Sequence, residues 1–402
     1  MARLYEDPSS SFTPERHGAS LRGPIIRIHP GAPLKTYKHL YPQITSFDNL
    51  HLAYKSAARG KRGRPDVAAF EFDLERNLIE LQQELEAQTY QPGPYFNFRI
   101  HDPKPRLISA APFRDRVVHH ALCRVIEPIF ERRFVHDTYA CRVGKGTHAA
   151  LHRAQHFARR YRHVLKCDLE HFFPRMDHAL LRAQLARVIA CRPTRWLADQ
   201  ILNSGAGIHP PRDAPVYFPG DDLFAVNRHT GLPIGNLTSQ FWANVYLNPL
   251  DHFVKRELKC AGYARYVDDF LLFADDKPTL HRWRQAVIEF AAALRLTLHE
   301  PQAAVFPVET GIPFLGWRVY PTHLRLKRRN GVAFQRRLTQ RLADFSAGRI
   351  GWDKVDATVK GWVAHAAHGD TWGLRRALLS GIILPSSGAL LRERGRGRGV
   401  RP

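Results

Sequence analysis

Residues 263–274 read YARYVDDFLLFA, and residues 162–173, upstream, read RHVLKCDLEHFF. In the first stretch two apolar runs are interrupted only by Asp268 and Asp269, the pattern of a hairpin with two acids at its turn. Adjacent aspartates at a turn are ordinary turn formers. Here the aromatic and aliphatic flanks imply a buried hairpin, where like charges are costly unless a cation neutralises them. The second stretch is an apolar strand that leaves the core at Asp168 and runs into two aromatics. Taken alone, Asp168 reads equally well as the N-cap of a following helix. If Asp168 and Asp268 converge, they make a hard oxygen cage suited to two Mg²⁺ ions, with Mn²⁺ as an alternative.

Around these two stretches the pattern is mixed. Apolar spacing predicts helices over SFDNLHLAYKSAARGK (46–61), AAFEFDLERNLIELQQELEAQTY (68–90), RDRVVHHALCRVIEPIFERRF (114–134), THAALHRAQHFARRY (147–161), HALLRAQLARVIA (178–190), SQFWANVYLNPLDHFVKREL (239–258) and LHRWRQAVIEFAAALRL (280–296). Short strand-like runs, YFNFRIH and PRLISAA, precede the third helix, and residues 203–235 form a Gly, Pro and Asp-rich loop region. Strands and helices without βαβ regularity place the chain in the α+β class. No repeat of fixed period is visible.

Length and charge narrow the function. The 402 residues suggest two or three domains, and 44% hydrophobic residues suffice for a sizeable core. Sixty Lys and Arg against 37 Asp and Glu leave a net charge of +23, which points to a polyanionic partner, most often nucleic acid. The absence of a run of ~18 apolar residues argues against a membrane span, and MARLYEDPSSSFTPERHG lacks the apolar stretch of a secretory signal. Five scattered cysteines without CxxC spacing fit neither a disulfide framework nor a cysteine zinc site. These features together predict a cytoplasmic protein facing nucleic acid.

Taken in order, the motifs resemble those of reverse transcriptases. LKCDLEHFF (165–173) is similar to the family's strand with the first catalytic aspartate, and YVDD (266–269) to its second catalytic motif. Between them GLPIGNLTSQFWANVYLN (231–248) resembles the loop and helix that hold template–primer and incoming nucleotide. IHDPKPRLISAAPFRDRVVHHAL (100–122) resembles the fingers, and GIPFLGWRV (311–319) the junction of palm and thumb. The resemblance covers residues 43–385. It implies a right-hand polymerase with an RRM-like antiparallel palm sheet. Residues 1–42 would be a poorly ordered arm, 43–320 the fingers and palm, 321–385 a basic helical thumb and 386–402 a disordered Gly/Arg tail. Ile234-Gly235 and Ser239-Gln240 stand where most members carry Gln-Gly and Ser-Pro. With DRVVHHAL and YACRVGKGTHAA (139–150), this is similar to the reverse transcriptases of diversity-generating retroelements, of prokaryotic or phage origin, which copy a template RNA with errors at adenines in mutagenic retrohoming. That subfamily implies a small, basic, helical accessory protein and a structured template RNA. Retron-like and phage-defence enzymes share part of these changes, and a non-catalytic RNA-binding protein on the same fold is the more distant alternative.

The resemblance implies roles residue by residue. Asp168 and Asp268 would be direct metal ligands, Asp269 a coupled third carboxylate, and the Leu169 carbonyl a further oxygen donor. Phe173 matches the steric gate against ribonucleotides; without the resemblance, a core aromatic would be the other reading. Lys104 and Arg106 match triphosphate-binding residues, the planar guanidinium being suited to phosphate. Gly235 would admit the nucleotide close to the backbone, and Ile234 and Gln240 would border the templating pair. An aliphatic side chain there cannot make the polar contacts of Gln, so selectivity built on hydrogen bonds weakens. Gln302 stands where the family usually has a lysine proposed as an acid, and it cannot donate a proton in that way. His148, His152 and His156 share a helix face at metal-ligand spacing without carboxylates to complete a set, and read as a phosphate-facing or solvated face; His365 and His368 read as helix packing. LRLKRRNGVAFQRRLTQRL (324–342) lies in a span, 317–350, with nine Arg or Lys and one Asp, and predicts a salt-sensitive grip on template–primer.

Overall fold

The computed structural model describes residues 35–101, 105–209 and 216–380. The expected tail and most of the expected N-terminal arm lie outside these residues. Within them residues 37–41 are already tied into the fold, inside the expected boundary at residue 42. The Tyr37 amide donates to the Val188 carbonyl at 2.9 Å, and Leu40 and Tyr41 are buried. Helices follow at Tyr41–Thr45, Phe47–Ala58, Pro65–Phe72 and Leu74–Glu86. The last two replace the single helix expected over 68–90. Asp73, at φ −125° and ψ 55°, breaks it, and Phe72 before it is left exposed.

A two-stranded antiparallel hairpin, β1 (Phe96–His101) and β2 (Pro105–Ala110), then leads into the helix Phe113–Glu131. Past the helix Thr147–Arg160 comes the sheet that carries both acidic motifs. Its strands are β3 (His163–Asp168), β4 (Gly262–Tyr266), β5 (Asp269–Ala274) and β6 (Ala304–Pro307), all antiparallel, in the order β4-β5-β3-β6. Successive side chains of a strand point to opposite faces, and β3 uses both. Leu165 and Cys167 enter the main core, built with the helices Phe113–Glu131 and Leu237–His252, while Val164 enters a second core with Leu151, Phe157 and Trp317. A helix at Arg192–Ser204 was not expected; its Pro at the start and apolar Leu197, Ile201 and Leu202 face were hidden beside the loop region. The predicted helix at 280–296 is Lys277–Ala293, and FLGWRV becomes β7 (Ile312–Phe314) and β8 (Trp317–Val319), joined in a third sheet by β9 (Leu324–Leu326). Helices Arg328–Ser346, Trp352–Ala366 and Trp372–Ser380 close the described chain, with a small core in which Phe334 stacks on Trp362 at 3.9 Å.

The main core contains a fully buried ion pair. Arg265 on β4 grips Asp251 of the helix Leu237–His252 with two parallel bonds, Nε to Oδ1 at 2.7 Å and Nη2 to Oδ2 at 2.6 Å. The Tyr263 hydroxyl and Thr138 Oγ1 donate to the same carboxylate at 2.7 and 3.0 Å. Desolvating two charges is expensive, and the pair persists because every lone pair facing it is used. Asp251→Ala would strand the guanidinium in the core. We expect a loss of about 3–5 kcal/mol in urea unfolding, and a loss below about 1 kcal/mol would show the pair to be ornamental to the fold.

Candidate active site

Tyr266 and Asp269 are paired, so Val267 and Asp268 form a two-residue connection between β4 and β5. Val267 has φ 57°, a left-handed conformation that a β-branched residue avoids. Such backbone costs of order 1–3 kcal/mol and lasts only where its surroundings hold it. Arg265 does so: its Nη1 donates to the Val267 carbonyl at 2.9 Å and to Asn244 Oδ1 at 3.3 Å. The buried ion pair thereby fixes the turn that carries Asp268. On the neighbouring strand Asp168 stands in register with Asp269, and opposite residues of antiparallel strands share a face. Sheet geometry alone brings the three predicted carboxylates to one edge.

They repel one another there. Burial first, and then the charge of Asp168, pushes the Asp268 carboxyl up to about 6, with Arg106 and Lys166 pulling the other way. Asp269 is also pushed up to about 6, by burial first and with Asp168 and Asp268 contributing, although Lys166 Nζ lies 2.9 Å from its Oδ1. Lys327, just ahead of the helix Arg328–Ser346, is held below the usual lysine range by burial, then by Arg329 and Lys166. Among the described residues no group of three His, Cys, Asp or Glu side chains is gathered into a ready metal cage. The donor set nevertheless fits a divalent ion: half-buried carboxylates whose mutual repulsion a cation would relieve.

Three backbone bonds connect the remaining candidates. The Leu232 amide donates to the Phe173 carbonyl at 2.9 Å, and the Gly231 amide to Met176 at 2.9 Å. The Ser109 amide of β2 donates to the Ile234 carbonyl at 2.9 Å. Asn236, buried, clamps the same strand with its side chain, Nδ2 to the Ser109 carbonyl at 3.2 Å and Oδ1 from the Ala111 amide at 3.3 Å. Gly235 has φ 119°, a conformation that side chains rarely adopt, and a Cβ there would crowd Ile108 Cγ2 at 3.0 Å. Phe173 is half-buried against Phe172, and Gln240 is exposed with its Oε1 3.5 Å from Cys141 Sγ. Arg106 reaches Asp268 electrostatically, while Lys104 lies outside the described residues.

Other expected residues lie elsewhere. Gln302 sits on a short 3₁₀ turn against His299, whose amide donates to the Asp168 carbonyl at 2.8 Å. His152 and His156 are exposed, in keeping with a solvated face, whereas His148 is half-buried against the C-terminal helices. It bonds His365 Nδ1 at 3.1 Å and stacks on His368 at 3.5 Å, joining the helix Thr147–Arg160 to the C-terminal helices, and His156 turns instead toward Phe157. Sequence reasoning overlooked Arg265, Asp251, Asn236 and Lys166. A signal existed for the first two: a cation inside an apolar strand and an acid inside an apolar helix need partners.

Both carboxyls sit above their ordinary 3.8, so their protonation favours the folded state. That contribution is complete below the unfolded value and is lost as pH rises through about 6. Metal-free Asp268→Asn should therefore melt above wild type at about pH 7.5 and match it near pH 4. Equal melting curves at both pH values would remove the repulsion argument.

Against known proteins, residues 100–319 match the family described as reverse transcriptase (RNA-dependent DNA polymerase). The chain is 24% identical over 227 residues to the group II intron-encoded protein LtrA of Lactococcus lactis subsp. cremoris, covering 55% of this chain and 36% of that one. It is 25% identical over 291 residues to protein YkfC of Escherichia coli (strain K12), covering 61% and 72%. With the mitochondrial nuclear intron maturase 1 of Arabidopsis thaliana it shares 25% over 201 residues, 44% of this chain and 28% of the relative. It thus spans little more than a third of LtrA. Among the described residues no helix is long and apolar enough to cross a membrane. The matched span holds Asp168, Asp268 and Asp269 and more than half of the sequence, and on that ground the chain belongs to the reverse transcriptase (RNA-dependent DNA polymerase) family.

Proposed function

We propose that this protein is an RNA-directed DNA polymerase of a diversity-generating retroelement, copying a template RNA into adenine-mutagenised cDNA. The observation that carries the chemistry is the register pairing of Asp168 with Asp269 beside the strained turn of Asp268. Two Mg²⁺ ions held by Asp168, Asp268 and the Leu169 carbonyl would supply the charge that activates a primer 3′-hydroxyl and steadies the departing pyrophosphate. The geometry around Leu169 is suited to this. Pairing with residues 297–299 uses the Asp168 carbonyl and the Glu170 amide, so the Leu169 carbonyl points away from that partner, to the β5 side. Asp269, with Lys166 Nζ 2.9 Å from its Oδ1, is the weaker third donor.

The other residues bind and orient. Arg106, with Lys104, takes the triphosphate; Phe173 crowds a ribose 2′-hydroxyl; Gly235 lets the nascent pair approach the backbone. Ile234 presents no hydrogen-bonding group beside that pair, and exposed Gln240 completes the altered motif, which is the support for relaxed adenine selectivity. In this reading β1–β2 belong to the fingers, the four-stranded sheet to the palm, and the basic helices after Lys327 to a thumb that grips template–primer through phosphate. A small basic accessory protein and a structured template RNA are its expected partners.

A second reading has its own support. LtrA and the Arabidopsis relative are named for introns, which favours a faithful enzyme of intron, retron-like or phage-defence type. Primer extension on a defined RNA template, read by deep sequencing, separates the two. We expect cDNA from wild type with substitutions concentrated opposite template adenines, none from Asp268→Asn, and fewer adenine errors from Ile234→Gln. Faithful cDNA would leave the polymerase and discard the retroelement. No cDNA, with accessory protein and native RNA supplied, would discard both.

A further inference from the structure

Four histidines from two distant segments meet where the C-terminal helices return to the sheets. His148 and His152 lie one turn apart on the helix Thr147–Arg160, while His365 and His368 lie at and just past the end of the helix Trp352–Ala366. His148 is the hub. Its Nε2 lies 3.1 Å from His365 Nδ1, its ring stacks on His368 at 3.5 Å and 14°, and the His152 ring stands 6.2 Å from that of His368. Behind them His365 packs on Trp317 of β8, with ring centroids 5.3 Å apart. Trp317 is fully buried and leaves no room at Gly369, where a Cβ would lie 2.3 Å from the indole. The Asp370 amide donates to the Leu324 carbonyl of β9 at 2.9 Å, so residues 365–370 dock on both the helix and the third sheet.

This junction depends on protons. Two facing imidazole nitrogens bond when one carries a hydrogen and the other a lone pair. A second proton turns the 3.1 Å contact into two cations facing one another. His148 is held below its ordinary 6.5 by burial first and then by His368, His365 and His152, and His365 by burial and then by His368. The charged residues of the surrounding elements are engaged elsewhere. Lys145 bonds the His136 carbonyl at 3.0 Å, Arg153 Asp137 at 2.8 Å, Arg318 of β8 the Thr310 carbonyl at 3.0 Å, and Lys360 Asp356 at 2.8 Å. The Tyr266 hydroxyl of β4 accepts from Thr147 at 3.2 Å, and Asp370 is exposed. Among the described residues no carboxylate bonds to any of the four rings, so nothing offsets a second proton.

We propose that His148, His365 and His368 form a proton-operated latch between the helix Thr147–Arg160 and the C-terminal helices, closed while the rings are neutral and opened when two neighbours are charged. Both bonded rings are harder to protonate when docked, so their neutral forms favour the closed latch. That contribution is complete above 6.5 and is lost as pH falls through and below it. The consequence for nucleic acid rests on the polymerase reading, in which the freed helices are the thumb and opening loosens the grip on template–primer. Docking itself does not depend on that reading.

Docking would be followed in full-length protein by hydrogen exchange of residues 352–380 at about pH 7.5 and 5.5, corrected for intrinsic exchange. Release of an RNA template–DNA primer duplex would be timed by fluorescence anisotropy under the same conditions. In wild type, protection of that segment should fall at least roughly 2- to 10-fold at the lower pH, the worth of one lost hydrogen bond, and duplex release should quicken. His148→Gln keeps a bonding group near the Nε2 position but cannot take up a proton, so both readouts should change less than in wild type. His365→Asn does the same near Nδ1 from the other side and decides the matter if the first variant fails to fold. Buried His119, His178 and His252 also favour their neutral forms, and Asp268 and Asp269 their protonated ones, so the difference between wild type and variant is what counts. An equal fall in wild type and both variants, or no fall in wild type, would overturn the latch. A fall in protection confined to wild type, with duplex release unchanged, would keep the latch and remove only the thumb reading.

Discussion

The position of the acidic turn depends on a charge pair that never meets solvent. Arg265 and Asp251 are both fully buried, and the remaining guanidinium nitrogen, Nη1, donates to the Val267 carbonyl and to Asn244. The helix Leu237–His252 supplies Asp251 and Asn244 to this arrangement from its interior, while Asn236, just before its first turn, clamps β2. One helix therefore sets the location of two things that must agree with each other: the turn bearing Asp268 and the hairpin bearing Arg106. A buried hydrogen-bonded pair suits that task because it has one geometry, whereas an apolar contact tolerates sliding.

Electrostatically the site is an exception to its own protein. A chain with a net charge of +23 draws nucleic acid to its surface from a distance. At the sheet edge three acids gather instead, faced by Lys166, Arg106 and Lys327, and burial holds two of the acids above their ordinary range.

Much of this could be seen in the residues themselves. YARYVDDFLLFA and RHVLKCD announce their strands because apolar runs are broken only by acids, and the α+β class follows from what surrounds them. The pairing of Asp168 with Asp269 could not be read, since register is a property of two distant segments. The Arg265–Asp251 pair was missed for the same reason, although each partner was anomalous in its own run. Local backbone misled at Asp73, where helical spacing continued through a residue that is not helical. Histidines 148, 365 and 368 were legible singly, but their meeting is a tertiary fact. Lys104, most of the expected arm and the expected Gly/Arg tail lie outside the described residues.

The double use of β3 has a bearing on how the acids survive their own repulsion. Leu165 and Cys167 belong to one core, and Val164 to another, on the opposite face. A slip of one residue would invert the strand, pushing Asp168 into hydrocarbon and turning the Cys167 thiol to the face that carries the acids. Neither core could accept the exchange. The alignment of the carboxylates is thus enforced from outside, by two apolar interiors that gain nothing from the acids themselves. Relaxation by small shifts is closed to the site, and assembly of the site and folding of the sheet become one cooperative event.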